Sequence, residues 1–274
     1  MPTVEFNFRE LNSLLGRRFK PRELMHRISM LGVDIESIDH DKIIMEIFPN
    51  RSDMLSIVGF ARALKGTLEI EKGLPVYTTE DSGIKLFVDT SVNGVRPFIV
   101  AGIVREISFT EEKLVSLMDI QEKLHITHGR NRKKVAIGVH DMSRIEAPFF
   151  YKAVNPTEIS FIPLDMKEEL NLNEILEKHP KGRNYAWILE GLERYPIILD
   201  KNKNVLSFPP IINGELTRVS ESTTDIFIEV TGLDQRAVNQ ALNIIVTSIL
   251  DRGGKAYTVE ILEIKNKKKN YLER

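Results

Sequence analysis

The chain has 274 residues, with 38 Lys and Arg against 39 Asp and Glu and a formal net charge of -1, a length that favours two domains over one. Its 42% hydrophobic and 28% charged residues exclude a mainly disordered or fibrous chain, and the balanced charge means that any polyanion has to be met by a local cluster. Zero cysteines exclude a disulfide framework, a thiol nucleophile and Cys-ligated metals; with no basic-then-apolar leader and no apolar run of about 18 residues, the expectation is a cytoplasmic protein without a membrane span.

Alternation at Val4, Phe6 and Phe8 predicts a strand, and Leu11, Leu14 and Leu15 before Gly16 a helix. Pro21 suits the first turn of a second helix carrying Leu24, Ile28 and Leu31, with Gly32 as its stop. Two alternating runs follow, Val33, Ile35 and Ile38, then Ile44, Glu46 and Phe48, separated by a turn at Asp39 to Asp41. The polar turn Pro49 to Asp53 feeds a helix with Met54, Ile57, Val58, Ala61 and Leu64. Turn formers at Lys72 to Pro75 and Thr78 to Gly83 mark a connection, so residues 1–80 are expected to form a first module.

Ile84, Leu86 and Val88 open the second. Phe98 to Ile107 reads as a strand covered on both faces, and Ser108 to Glu111 as a capping box before a helix carrying Leu114, Leu117, Met118 and Leu124. Val135 to Val139 and Phe149 to Val154 read as strands, Leu172 to His179 as a helix, and Tyr195 to Leu199 with Val205 to Phe208 as a hairpin. A strand at Ile226 to Val230, a helix at Val238 to Ile249 and a strand at Ala256 to Ile261 complete the pattern. The fold class is α+β: a small N-terminal α/β module, then a larger mixed-sheet domain over 84–262 with helices packed on its sheets, then a basic tail, 263–274, expected to be disordered.

No phosphate-cradling glycine motif, dinucleotide fingerprint, kinase set or hydrolase elbow is present. His125 and His128 lack a third ligand, so no metal is expected. Four cations, Arg130, Arg132, Lys133 and Lys134, cluster beside the strand at Val135; they grip phosphates or form a solvated loop. Pro209 and Pro210 end a strand abruptly and send Ile211 to Gly214 out of the sheet as a rigid wall. On the strand at Ile226, alternation puts Phe227, Glu229 and Thr231 on one face; Glu229 there points into a pocket, faces solvent or pairs with an arginine.

These segments together resemble the N-terminal half of the β subunit of phenylalanyl-tRNA synthetase in its archaeal and eukaryotic form. Asn50-Arg51-Ser52-Asp53, with Gly59 and Ala61-Arg62, is similar to the family's Asn-Arg-Pro-Asp turn and helix, with Ser52 where proline is usual, and Lys72 to Pro75 to its interdomain link. Val135 to Gly138 with His140-Asp141, Ser207 to Gly214, and Ile228 to Gly232 resemble the signatures of its B3/B4 editing domain, with Leu233 where a small polar residue is more usual.

The resemblance implies a B1-like module followed by an editing domain that hydrolyses mischarged Tyr-tRNA(Phe), while aminoacylation belongs to the α subunit. A phenylalanine pocket rejects tyrosine poorly because the analogue merely adds a hydroxyl, and a second site that requires the hydroxyl inverts the test. On this reading Leu206 and the Pro209 to Ile212 loop hold the ring, Ser207 is a further substrate-binding residue, Glu229 with Thr231 or Asn213 reads the phenol, Gly214 admits the terminal adenosine, and His140 either places water or is structural. Expected partners are tRNA(Phe), through Arg130, Arg132, Lys133 and Lys134, and the α subunit in an α2β2 complex, with no membrane and no DNA. No cofactor is expected in this chain, ATP and Mg belonging to the complete synthetase. The alternative is a non-catalytic module that binds tRNA or docks the α subunit.

Overall fold

In the computed structural model, which describes residues 2–264, β1 (Thr3–Asn7) leads directly into α1 (Phe8–Leu15), because Asn7 accepts from the Arg9 and Glu10 amides as an N-cap and Gly16 closes the helix at φ 69°. Helix α2 (Pro21–Ser29) starts on proline. The hairpin β2 (Asp34–Ile38) and β3 (Lys42–Glu46) then completes a sheet in the order β1-β3-β2. The run Ile44, Glu46 and Phe48 is the outward set: Ile43, Met45 and Ile47 are buried and Phe48 is 39% exposed. Strand β3 is paired on both sides, so its register alone decides which alternate set meets the core. Residues Pro49–Leu55 form a 3-10 segment before α3 (Ile57–Thr67).

The second sheet holds nine strands among the described residues. They are β4 (Thr79–Asp89), β5 (Phe98–Arg105), β6 (Val135–Asp141), β7 (Phe149–Val154), β10 (Tyr195–Leu199), β11 (Val205–Phe208), β12 (Ile212–Asn213), β13 (Ile226–Gly232) and β14 (Lys255–Ile264); the order is β12-β11-β10-β7-β4-β14-β5-β13-β6. Strands β8 (Ser160–Phe161) and β9 (Leu170–Asn171) pair separately. The sheet is mixed, since β4 runs parallel to both β14 and β7. Helix α4 (Glu111–Ile126) is capped by Thr110, whose hydroxyl accepts from the Lys113 amide, and not by the Ser108 box that the sequence suggests. Helix α5 (Leu172–Lys178) gives way at His179 to α6 (Pro180–Tyr185): Pro180 starts a helix as well as ending one, and His179 caps it. Helix α7 (Gln235–Leu250) covers one face of β5, β13 and β6.

The expected boundary at residue 80 meets two facts. Thr79 to Gly83 belong to β4, paired with Ala256 to Thr258 of β14. One buried cluster also runs from Val4, Leu11 and Phe60 through Leu117 and Ile120 to Ile228, Val230 and Ile245, so the N-terminal sheet and the α4/α7 layer share a core. Contacts between them include Ser56 with Ser248 (3.4 Å) and the Tyr77 hydroxyl donating to Asp251 (2.7 Å). Of the expected tail, Glu263 and Ile264 extend β14, and 265–274 lie outside the described residues.

Candidate functional site

The alternation of β13 sorts its side chains between two cores. Ile226, Ile228 and Val230 point to the α7 layer, while Phe227 packs on Phe149 with ring centres 4.4 Å apart on the opposite face. Glu229 and Thr231 share the Phe227 face, and burial then gives the three different fates.

Glu229 is 2% exposed and opposes Gly138 on β6. A Cβ at position 138 would overlap the Glu229 carboxylate and lie 2.7 Å from His140 Nε2, so glycine there is the condition for both groups to lie over the strand. His140 is fully buried, with Nε2 3.9 Å from Glu229 Oε1. Thr217 Oγ1 hydrogen-bonds with His140 Nδ1 at 2.8 Å and lies 3.2 Å from the Gly214 carbonyl, and His140 Nε2 is the ring nitrogen turned toward Glu229. Among the described residues, neither that nitrogen nor Glu229 Oε2 has a hydrogen-bond partner. Buried polar atoms left without a partner call for one from a bound group.

Glu229 forms part of the wall of a cavity of about 330 Å³. Ile137, Val139, Pro209, Ile211 and Ile212 supply apolar walls, and Ser207, Asn213 and Thr217 polar ones. The Asn213 amide donates to the Val139 carbonyl at 3.3 Å, which ties the proline loop to edge strand β6. Helix α4 closes that edge: Gln121 Nε2 donates to Ile137 O at 2.8 Å, and the Ile137 amide donates to His125 Nε2 at 2.8 Å. Because that nitrogen accepts, His125 carries its proton on Nδ1, facing Glu122 at 3.5 Å. Burial pushes its pKa down to about 4.

The expected site residues divide. Ser207, Pro209, Asn213 and Glu229 come together on one cavity. Leu206 is wholly buried in the core behind it. Gly214 answers its own hairpin, since a Cβ there would lie 2.7 Å from Val205 O, and it is not among the residues that line the cavity. Thr231 is held by buried Arg96, whose Nε donates to its hydroxyl (2.9 Å) and Nη2 to its carbonyl (2.8 Å).

The basic loop divides as well. Arg130 and Lys133 are exposed. Lys134 pairs with Asp234 at 3.4 Å. Arg132 is 6% exposed and turned inward: Nη1 donates to Ile211 O (2.9 Å), Nη2 to Glu122 (2.9 Å), and its guanidinium stacks 4.6 Å from the Tyr185 ring centre. It braces the cavity wall and is not a surface phosphate ligand. Arg96 in turn holds the loop through the carbonyls of Arg132 (3.1 Å) and Lys133 (2.9 Å). Its own burial lowers its pKa to about 10.

Sequence reasoning missed Met118, Gln121, Glu122 and His125, though their spacing on α4 marks one helical face toward the cavity. It also missed Thr217, Arg218 and Lys181, which line the cavity without any local pattern. Lys181 stands exposed as a residue at the mouth, yet burial of its ammonium and then the charge of Arg132 hold its pKa below the ordinary value. No group of three or more potential metal ligands occurs among the described residues, and no helix among them is long and apolar enough to cross a membrane.

Comparison with known proteins places these features. A family model described as the B3/4 domain matches residues 108–259. Phenylalanine--tRNA ligase beta subunits are similar along almost the whole chain. That of Methanococcoides burtonii is 49% identical over 262 residues, covering 96% of this chain and 48% of the relative; that of Archaeoglobus fulgidus is 49% identical over 262 residues, covering 96% and 47%. The chain thus spans about half the length of the curated relatives it matches. The crystal structure of an N-terminal fragment of the phenylalanyl-tRNA synthetase beta-subunit from Pyrococcus horikoshii superposes with a TM-score of 0.89 at 38% identity, covering 96% of this chain and 77% of that one.

Proposed function

The chain belongs to the phenylalanyl-tRNA synthetase β-subunit family and carries its B3/4 domain, and from that premise we propose that its cavity hydrolyses the ester of mischarged Tyr-tRNA(Phe). The observation that carries the reading is the buried Glu229 carboxylate over Gly138, with one oxygen unpartnered in a cavity walled largely by apolar side chains. A tyrosine ring fits between Ile137 and Val139 on one side and the Pro209 to Ile212 loop on the other. Its hydroxyl supplies the donor that Glu229 Oε2 lacks. Phenylalanine would leave that acceptor unpaired, which costs about 1 to 3 kcal/mol, so the selectivity of the site runs opposite to that of a hydrophobic pocket.

Hydrolysis needs no protein nucleophile. The aminoacyl ester is reactive, and a water held in line with its carbonyl gains rate from orientation and from donors placed on the developing oxyanion. His140 Nε2 is buried without a partner beside Glu229, so its part is to help hold the group bound there. The proposed partners are tRNA(Phe) and a synthetase α subunit, with ATP-dependent aminoacylation carried out elsewhere and no cofactor needed for ester cleavage. Incubating Tyr-tRNA(Phe) and Phe-tRNA(Phe) with the chain tests the reading. Release of tyrosine well above the spontaneous rate, with little release of phenylalanine, supports it; no release of either would leave a binding module.

A further inference from the structure

Arg132 and Lys134 are engaged within the protein, but Lys181, Lys133 and Trp187, next to the wall formed by Arg132 and Tyr185, are not consumed in the same way. Lys181 lines the cavity, and its ammonium has no hydrogen bond or ion pair among the described residues. Lys133 is exposed, and its Nζ lies 5.8 Å from the centre of the Trp187 ring. Trp187, the one tryptophan of the chain, is 47% exposed. Lys181 lies on α6, and Trp187 in the 3-10 turn Ala186–Ile188 that follows it. Tyr185, which lies between Lys181 and Trp187 in sequence, stacks on the guanidinium of Arg132, and Arg132 precedes Lys133. The two carboxylates whose charge acts on Lys181 are each held by an arginine, Glu122 by Arg132 and Asp165 by Arg218.

Single-stranded nucleic acids are bound where cations follow the phosphates and aromatic faces take the bases. Resting on the proposed function, we infer that Trp187, with Lys133 beside its ring and Lys181 on the preceding helix at the cavity lining, is a stacking platform for one nucleobase of the single-stranded 3′ end of an RNA whose terminal nucleotide reaches the cavity, the two lysines meeting the adjoining phosphates. An acidic peptide would use the same charges, but its acidic side chains offer no aromatic face to stack on the exposed part of the indole. The platform replaces Arg132 and Lys134 in the path expected from the basic loop, and it keeps Lys133.

The test uses the intact chain and a short single-stranded RNA ending in CCA. Its titration at low salt is expected to quench the fluorescence of the sole tryptophan. By anisotropy of a labelled RNA, Trp187→Ala should weaken binding roughly 5- to 150-fold, the range of one lost base stack. Joint replacement of Lys133 and Lys181 by alanine should flatten the dependence of log affinity on log salt by about 1.4, as for two phosphates of a single strand. Saturable binding without quenching, or unchanged affinity of the Trp187 variant, overturns the platform. So does quenching by polyglutamate but not by RNA, which would assign the surface to an acidic partner. Tyrosine release from Tyr-tRNA(Phe) is scored separately. Quenching and a Trp187 effect without any hydrolysis would sustain the platform and remove the editing reading, whereas hydrolysis with a KM indifferent to Trp187 would do the reverse.

Discussion

Replacing Arg132 by methionine keeps much of the side-chain volume and removes three interactions at once. The bond from Nη1 to Ile211 O is buried and charge-assisted, worth about 1.5 to 3 kcal/mol. The pair with Glu122 is discounted to about 1 kcal/mol or less because the Glu122 side chain is 43% exposed. Stacking on Tyr185 adds about 0.5 to 1 kcal/mol. The sum is roughly 2 to 5 kcal/mol of stability, read by urea unfolding at neutral pH. Freed from its brace, Ile211 no longer fixes the proline loop, so tyrosine ester hydrolysis should fall through a raised KM, because the wall and not the chemistry is lost. The salt slope of tRNA binding should hardly change, since the guanidinium does not reach the surface. A loss below 1 kcal/mol together with a flattened salt slope would refute the brace and return Arg132 to the phosphate path.

Gly138→Ala drives a methyl into Glu229 and His140; we expect a loss of about 1 to 3 kcal/mol from overpacking and at least about a tenfold loss of tyrosine-selective hydrolysis, and parental behaviour in both calorimetry and deacylation would show that the carboxylate does not lie over this strand. His125 is held near pKa 4, below its ordinary 6.5, so the unfolded chain binds the extra proton first. Its contribution is full above about pH 6.5 and is lost as pH falls toward 4, about 3 kcal/mol in all; urea unfolding between pH 7.5 and 4.5 should show that decline, and a His125→Asn variant should show less of it. Proteolysis should nick the exposed segment at 71–76 while the two pieces elute together, because they share a core; spontaneous separation would argue for independent modules.

The strands and the face of β13 were legible because period-2 alternation is local, and the resemblance ordered the segments around the cavity. The reading of Glu229 as a pocket group rested on that alternation, and its burial over Gly138 is what the fold adds. What escaped was long-range. Arg130, Asn131 and Arg132 all adopt positive φ, at 49°, 53° and 68°, without a glycine to announce it, and this is the stretch that carries Arg132 inward. Arg96 sits in an unremarkable Val-Arg-Pro and acts through partners 36 to 135 residues away. Gly214 and Thr231 matched expected motifs, but backbone crowding and a buried guanidinium account for them locally. The polar face of α4 was readable and was passed over because the apolar stripe beside it explained the helix.

Whether Glu229 accepts the tyrosine hydroxyl is decided by deacylation of Tyr-tRNA(Phe) and Phe-tRNA(Phe) with the parent and with Glu229→Ala, thermal stability being recorded in parallel. Loss of one charge-assisted bond of about 1.5 to 3 kcal/mol predicts a roughly 10- to 150-fold slower release of tyrosine, with the slow release of phenylalanine unchanged or slightly faster and the fold retained. Equal loss on both substrates, or full activity on Tyr-tRNA(Phe), would contradict it.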